Sequence, residues 1–584
     1  MRVWRPATSV PGMDVPRPAG LDPRSLGFTR QRPVAWLAPG ILARTGLRTL
    51  LTLTFGAYLD KRELQGALPA RWHRQDGENG ELWIDYVADL GDGFDATYTI
   101  AWLLAQPTLN VDGHELRRGH VLVMGGDLVY PLASMQAYED RTKGPYTAAL
   151  PQAPTDGPAP TLYALPANHD WYDGLTSFLR LFAGERADNL GGWRLEQTRS
   201  YFAVQLPHRW WLFAVDEAVD SYFDDPQLVY FSQAARHLRP GDQVIIAAPA
   251  PTWAKPDPTA YRSLDFFIRR IIAPTGAEVR LMLSGDAHHY ARYEHPERQL
   301  VTCGGGGAYL TATHTIPEQI TVPPRESIDR KCSPRRDYRL AARYPDARTS
   351  RRMARGVFAR LPLRNRGFVA LVGVLHTLLM LAVAGAAIRL TEVEARLVTI
   401  PLAVTVLAVL GAAVGLAYTP TGGPKRGPRY LVAGMLHGAA HIGLGIAGGL
   451  AWLRLPFHDL PWPLPLLAAG LVYLPVAGLV GSELIALYLL VASRFGVNVN
   501  ELFASQGIED AKCFLRMHIA RDGTLTIYPV AVPKVCHSWR ADPDAPRPDA
   551  SWIVPDGEPP RPCLAEEPVT VGRPSPVRVN GGSG

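Results

Sequence analysis

Four apolar runs, residues 368–388, 397–418, 430–452 and 464–491, fill most of the chain between residues 367 and 493, and Glu483 is the only charged residue inside them. Each offers about twenty residues or more, the length needed to cross a hydrocarbon core of roughly 30 Å. A helical bundle in water would need a polar stripe on each helix, and runs with almost no charged face leave none. Four transmembrane helices are therefore expected. The chain before residue 367 is polar by comparison, and 584 residues exceed what one hydrophobic core serves, so separate domains in separate solvents follow.

Charge sets the expected orientation. Thirteen Lys and Arg residues lie between positions 330 and 366, directly before the first apolar run, and the second connection carries Lys425, Arg426 and Arg429. The first connection, with Arg389, Glu392, Glu394 and Arg396, and the third, with Arg454 and Asp459, carry little net positive charge. The positive-inside tendency then predicts a multi-pass protein of the cell (inner) membrane with the soluble half and both termini cytosolic. Residues 1–20 contain no apolar stretch of the secretory kind, in keeping with a cytosolic amino end. The five cysteines show no close pair, which argues against a disulfide framework and against a thiolate zinc site. The net charge of +6 is concentrated at the membrane belt and is not interleaved with aromatic residues, so no nucleic-acid partner is expected. Residues 36–59 are apolar but carry Arg44 and Arg48 at helical spacing, which predicts an amphipathic segment packed on the soluble domain. His437 and His441, four residues apart on one helix face, read as helix-to-helix hydrogen bonds, with metal ligation as the alternative.

In the soluble half, five short β-rich runs close on Asp, Asn, Gly or Pro. Residues 82–87 lead to Asp89, 120–124 to Asp127, 161–165 to Asn168, 243–247 to Pro249 and 279–283 to Asp286. Helical patterns such as 98–104 and 263–272 fall between them, which predicts an α/β fold with polar ligands at strand ends.

The order Asp89, Asp127, Asn168-His169-Asp170 and Gly285-x-x-His288 resembles the calcineurin-like metallophosphoesterase superfamily over roughly residues 80–315. The continuation Trp171-Tyr172-Asp173-Gly174-Leu175 resembles a membrane-associated bacterial subgroup, here with four C-terminal transmembrane helices. The resemblance implies a double β-sheet sandwich flanked by helices, with two divalent metals at the strand ends. It also implies hydrolysis of a phosphate ester by attack of metal-bound hydroxide. On it, Asp89 matches a ligand of the first metal, Asp127 the bridging carboxylate, Asn168 a ligand of the second metal and His288 a ligand of the first. His169 matches the proton donor or charge stabiliser, with Asp170 orienting it through a hydrogen bond.

The departures from that pattern are specific. An Asp-x-His opening has become Asp89-Leu90-Gly91, with Asp92 expected to replace the missing imidazole. Asp286 stands where a histidine of the last motif is looked for, and Pro249-Ala250-Pro251 offers no histidine in the fourth. Carboxylates in place of imidazoles shift the expected ions toward Mn²⁺ or Mg²⁺, with iron and zinc as alternatives. The run Gly304-Gly305-Gly306-Gly307 reads either as a tight turn at positive φ or as backbone passing a phosphate.

The resulting organisation is an N-terminal extension packed on the catalytic domain (1–79), a metallophosphoesterase domain (80–329), an Arg-rich juxtamembrane linker (330–366), four transmembrane helices (367–493), a cytosolic β-rich segment (494–540) and a disordered Pro-rich tail (541–584). The function read from it is a membrane-anchored phosphoesterase acting on a soluble or lipid-borne phosphoester. The rival is a non-catalytic membrane sensor or scaffold with a degenerate phosphate-binding metal site.

Overall fold

The computed structural model describes residues 17–42, 44, 46, 63–184, 189–217, 222–327, 331–387, 392–418, 427–461 and 463–572. The chain is a mixed α/β protein divided into two compact units. One comprises residues 1–34, 48–346 and 509–584, the other residues 35–47 and 347–508.

The first unit is built on two large sheets. In the first sheet the strands lie in the order Cys563–Leu564, Leu525–Val532, Lys512–Ile519, Leu82–Val87, Val121–Met124, Thr161–Ala164, Arg194–Leu195, with Val569–Val571 also paired to Leu525–Val532. The four from Leu82–Val87 onward run parallel, and Lys512–Ile519 joins antiparallel. The second sheet has the order His73–Arg74, Phe202–Gln205, Trp210–Ala214, Gln243–Ala248, Glu278–Ser284, Arg298–Cys303, Tyr290–His295, Arg336–Tyr344, Gln319–Val322. Its centre, from Trp210–Ala214 through Arg298–Cys303, is parallel.

Strand periodicity explains the layers. Leu82, Ile84 and Tyr86 point into a core shared with Phe202, Leu212, Ile245 and Leu281 of the second sheet, while Trp83 and Val87 face the helix Phe94–Ala105. The outer face of the second sheet is covered by the helices Asp225–Ala235 and Arg262–Phe267, with Phe213, Phe231 and Phe267 in its core. Parallel strands covered on both faces are nearly continuous apolar runs, which is the pattern that Val121–Met124 displays throughout and Gln243–Ala248 displays after its first residue.

The C-terminal segment is integral to the first sheet. Arg516 lies opposite Asp85 in the antiparallel register, and the fully buried guanidinium donates from Nε to Oδ1 at 2.7 Å and from Nη2 to Oδ2 at 3.0 Å. The expected disorder of the tail is corrected as far as residue 572. Ile553–Pro555 pairs with Trp539–Ala541, and Arg17 binds the carbonyls of Asp542, Arg547, Ala550 and Ser551. Proline-rich composition does not prevent order where carbonyls meet a guanidinium and short strands find an open edge; residues 573–584 lie outside the described residues. The Arg-rich stretch is likewise not a plain linker, because Arg336–Tyr344 is a strand of the second sheet and only Ala347–Arg355 and Val357–Arg364 are helices of the second unit. Residues 35–42 group with the second unit, not with the first as expected of the N-terminal extension; most of 43–62 lies outside the described residues.

Among the described residues of the second unit three helices, Arg366–Ala386, Pro428–Trp452 and Leu464–Ser493, are long and apolar enough to cross a membrane. The second apolar run forms the helix Glu392–Ala417, whose apolar part is Leu402–Ala417. Leu436 and Leu471 are 67 % and 77 % exposed, a costly arrangement in water and a neutral one in hydrocarbon. Gly373 and Gly478 meet at a close helix crossing, each too near the opposing backbone to accept a Cβ. The helix-to-helix reading holds for His441, which bonds His376 of the helix Arg366–Ala387 at 2.9 Å, whereas His437 bonds His441 within its own helix at 3.0 Å.

Removing Arg516 would leave the Asp85 carboxylate buried without its partner. Arg516→Ala is expected to destabilise the chain by about 3–5 kcal/mol, read as a fall in thermal midpoint, and Asp85→Asn in the same chain should recover part of that loss.

Candidate functional site

The parallel strands of both sheets end in loops that carry acidic residues. Asp89, Asp127 and Asp286 follow Leu82–Val87, Val121–Met124 and Glu278–Ser284, and all three adopt left-handed backbone, with φ of +58°, +51° and +65°. Non-glycine residues there are uncommon, aspartate tolerates the region better than most, and three at adjoining strand ends mark a locally demanding geometry. The loops are knitted together: Asp89 N donates to the Gly126 carbonyl at 2.9 Å, Leu90 N to the Asp127 carbonyl at 3.0 Å, and Asp286 N to Asp89 Oδ1 at 3.0 Å.

At their centre sits the hydroxyl of Tyr130, 3.2 Å from Asp89 Oδ1, 3.2 Å from Asp127 Oδ2 and 3.1 Å from His288 Nε2. The Nδ1 of His288 lies 2.8 Å from the Tyr309 carbonyl, which can only accept, so Nδ1 carries the proton and the Nε2 lone pair faces the cluster. One hydroxyl proton therefore serves three acceptors. In addition, Asp89 Oδ2 is buried with no hydrogen-bond partner among the described residues. Burial, reinforced by the charges of Asp127 and Asp286, pushes the Asp89 carboxyl well above its usual range; burial and Asp286 push Asp127 up to about 7. Burial drives the His288 imidazole down to about 3, keeping it neutral.

The glycine run packs against this cluster. None of Gly304 to Gly307 has positive φ. A Cβ on Gly304 would stand 2.1 Å from Asp89 Oδ2, one on Gly306 2.5 Å from the Ala88 carbonyl, and one on Gly307 2.4 Å from Thr97 Oγ1. Gly306 N bonds the Ala88 carbonyl and Ala308 N the Asp89 carbonyl, so close approach, not turn geometry, requires these glycines.

His169 opens toward the same loops. Its backbone N donates to Asp127 Oδ1 at 2.9 Å, and its Nδ1 lies 2.8 Å from the Pro131 carbonyl, which leaves Nε2 unprotonated in the neutral ring. Burial lowers its pKa. Asp170 does not orient His169. It stands at the third position of the short helix Asn168–Trp171 and turns back to accept from Ala167 N at 2.9 Å, from Leu128 N at 3.2 Å and from the Tyr138 hydroxyl. The expected imidazole–carboxylate bond is thus replaced by a bond to a backbone carbonyl, because the capping geometry claims the carboxylate.

The remaining expected ligands are placed less centrally. Asn168 begins the Asn168–Trp171 helix, partly exposed. Asp92 is buried, but its Oδ1 accepts from Val34 N at 2.7 Å, so it anchors the N-terminal segment. Asp286 Oδ2 is paired with Lys255 Nζ at 3.2 Å. His289 is turned to Thr311 Oγ1 at 2.7 Å. Sequence reasoning passed over Tyr130 and Lys255. Tyr130 lies only three residues beyond Asp127, a signal that needed the turn geometry to be read, and Lys255 belongs to the stretch after Pro249-Ala250-Pro251 that lacked a ligand. Glu217, after the strand Trp210–Ala214, was missed as well; it is 4 % exposed and neither carboxyl oxygen has a hydrogen bond.

Among the described residues no three His, Cys, Asp or Glu side chains already surround a common point as a ready ligand set. The chemistry of Asp89, Asp127 and His288 nevertheless fits a hard divalent cation: two carboxylates held close in low dielectric, an oxygen without a partner, and a neutral imidazole in the ligating tautomer.

No family model matches the chain, and no curated protein does. Among solved structures, one similar chain is described as "GAP50 the anchor in the inner membrane complex of Plasmodium". It is 12 % identical with a TM-score of 0.29, over 46 % of this chain and 92 % of that one. That likeness is too slight to carry a functional conclusion.

Two outcomes follow from this geometry. Gly304→Ala should abolish divalent-ion binding in titration calorimetry, because its Cβ displaces Asp89. The Glu217 carboxyl is pushed up to about 8 by burial, with Asp216 adding and Lys255 opposing, from 4.5 in an ordinary setting. The folded chain therefore keeps a proton that the unfolded chain releases over that range, so the stability present below pH 4.5 is lost as pH rises to about 8. Glu217→Gln, an isostere of the neutral acid, should leave the thermal midpoint unchanged near pH 5 and raise it at pH 8.

Proposed function

We propose that this chain is a membrane-anchored phosphoesterase that holds a divalent cation between Asp89, Asp127 and His288 and hydrolyses a soluble or lipid-borne phosphate ester. The observation that carries the reading is the Tyr130 hydroxyl caught among three acceptors beside an unpartnered Asp89 oxygen, an arrangement that a cation with Tyr130 at its edge would satisfy. When bound, such a cation neutralises charge on the phosphoryl oxygens and eases deprotonation of water. The resemblance of Asn168-His169-Asp170 and Gly285-x-x-His288 to calcineurin-like metallophosphoesterases supports the same reaction class, and the carboxylate-rich set favours Mn²⁺ or Mg²⁺.

The chain's own groups have distinct tasks. Asp127 would help hold the cation, and its Oδ1 accepts from the backbone N of His169, so a single carboxylate ties the imidazole to the ligand set. With Nδ1–H held by the Pro131 carbonyl, the Nε2 of His169 is the atom that meets the substrate. The negative charge of a phosphate raises the pKa of that imidazole against the lowering effect of burial, and the imidazolium passes its Nε2 proton to the leaving oxygen. Asp170 keeps the helix start in place through Ala167 N and Leu128 N.

The helix Glu392–Ala417 is read as a fourth crossing, and the Arg-rich helices Ala347–Arg355 and Val357–Arg364 as the cytosolic belt. The sensor or scaffold reading is separated by turnover. With Mn²⁺ and an aryl phosphate or aryl phosphodiester, His169→Ala should lower kcat by about 10²–10⁴-fold with Mn²⁺ affinity retained. At saturating Mn²⁺, kcat should fall as pH rises through the His169 pKa, because the donor must be charged, and that limb should disappear in the variant. Mn²⁺ binding without turnover in the wild type would favour the scaffold.

A further inference from the structure

Lys255 brings a positive charge of the chain's own to the acidic loops. Lys255 follows the short turn Thr252–Ala254 beyond the strand Gln243–Ala248, and its Nζ stands 3.2 Å from Asp286 Oδ2, with the two side chains 28 % and 31 % exposed. Its charge is felt at Asp127 and at Glu217 as well. The strand end that leads to it, Pro249-Ala250-Pro251, presents no side chain able to ligate a metal.

We infer that the Lys255 ammonium occupies the role of a second metal ion, so that the site takes one divalent cation and the lysine supplies the other positive charge facing the phosphoryl oxygens. This rests on the phosphoesterase reading above and sharpens it. Three features converge. Asp286, the carboxylate nearest a second ion position by sequence, is already committed to Lys255. Asp89, Asp127 and His288 all face the Tyr130 hydroxyl, so they define one position and not two. A dication placed beside a fixed ammonium would be repelled by it, whereas a phosphate oxygen would be drawn to both. Lysine suits the task because its ammonium is a compact point charge that needs no particular approach plane, and its pKa is raised by Asp286, Glu217 and Asp127 against the effect of burial, so it stays charged at neutral pH.

The test uses the full chain in detergent. Mn²⁺ bound per chain is counted by equilibrium dialysis with elemental analysis, and inorganic phosphate affinity is measured by calorimetry at saturating Mn²⁺. One Mn²⁺ per chain is expected. Lys255→Met should weaken phosphate binding at least tenfold with the Mn²⁺ count still at one or above, and Lys255→Arg should restore most of the affinity. Two Mn²⁺ in the wild type, or unchanged phosphate affinity in Lys255→Met, would overturn the inference while leaving the phosphoesterase reading in place. No Mn²⁺ at all would overturn both. Should Lys255→Met fail to fold, the wild-type count decides.

Discussion

The antiparallel ladder between Lys512–Ile519 and Leu82–Val87 is the interaction on which the first unit depends. It joins a strand from the end of the chain to the strand that delivers Asp89, across an insertion that contains the three described helices long and apolar enough to cross a membrane. Its inner residues, Cys513, Leu515 and Met517, fill the core between the sheets, and its outer residue Arg516 neutralises Asp85 where no water reaches. The same strand fixes the glycine run, because Cys513 N bonds the Gly305 carbonyl. Gly304 is thereby pressed against Asp89 Oδ2, so the position of the first carboxylate is set from both ends of the chain.

With that frame in place, the site is an electrostatic problem with one solution. Burial and mutual repulsion raise the pKa values of Asp89 and Asp127, which means the ion-free cluster resists ionisation. A bound cation would reverse this, and Lys255 brings a positive charge to Asp286 beside the cluster. Backbone carbonyls do the orienting that carboxylates often do: Tyr309 sets the tautomer of His288 and Pro131 that of His169. A backbone oxygen holds an imidazole without adding negative charge to a region already rich in it.

Much of this was legible from the sequence, for identifiable reasons. Strand ends could be placed because β-rich runs stop at Asp, Gly or Pro, and so Asp89, Asp127, Asn168, His169 and His288 fell where the strands put them. The helices were legible because length and lack of charge are one-dimensional properties. What escaped depends on turns. Tyr130 returns to the cluster only through the path of residues 127–130, and Lys255 meets Asp286 only because their strands are neighbours in the second sheet. Asp170 was assigned to His169 through the family resemblance, whereas a four-residue helix claims its carboxylate for the backbone. The ordered tail was missed because composition reports the tendency of a free chain and not the open sheet edge available to Cys563–Leu564 and Val569–Val571.

The most direct measurement is anomalous diffraction at the manganese edge from crystals of the full chain grown with Mn²⁺. The account expects a single peak at ligand distance, about 2.2 Å, from Asp89, Asp127 and His288, with the Tyr130 hydroxyl moved from its place among them. Density without a peak at that position, and Tyr130 still bonded to all three groups, would contradict it.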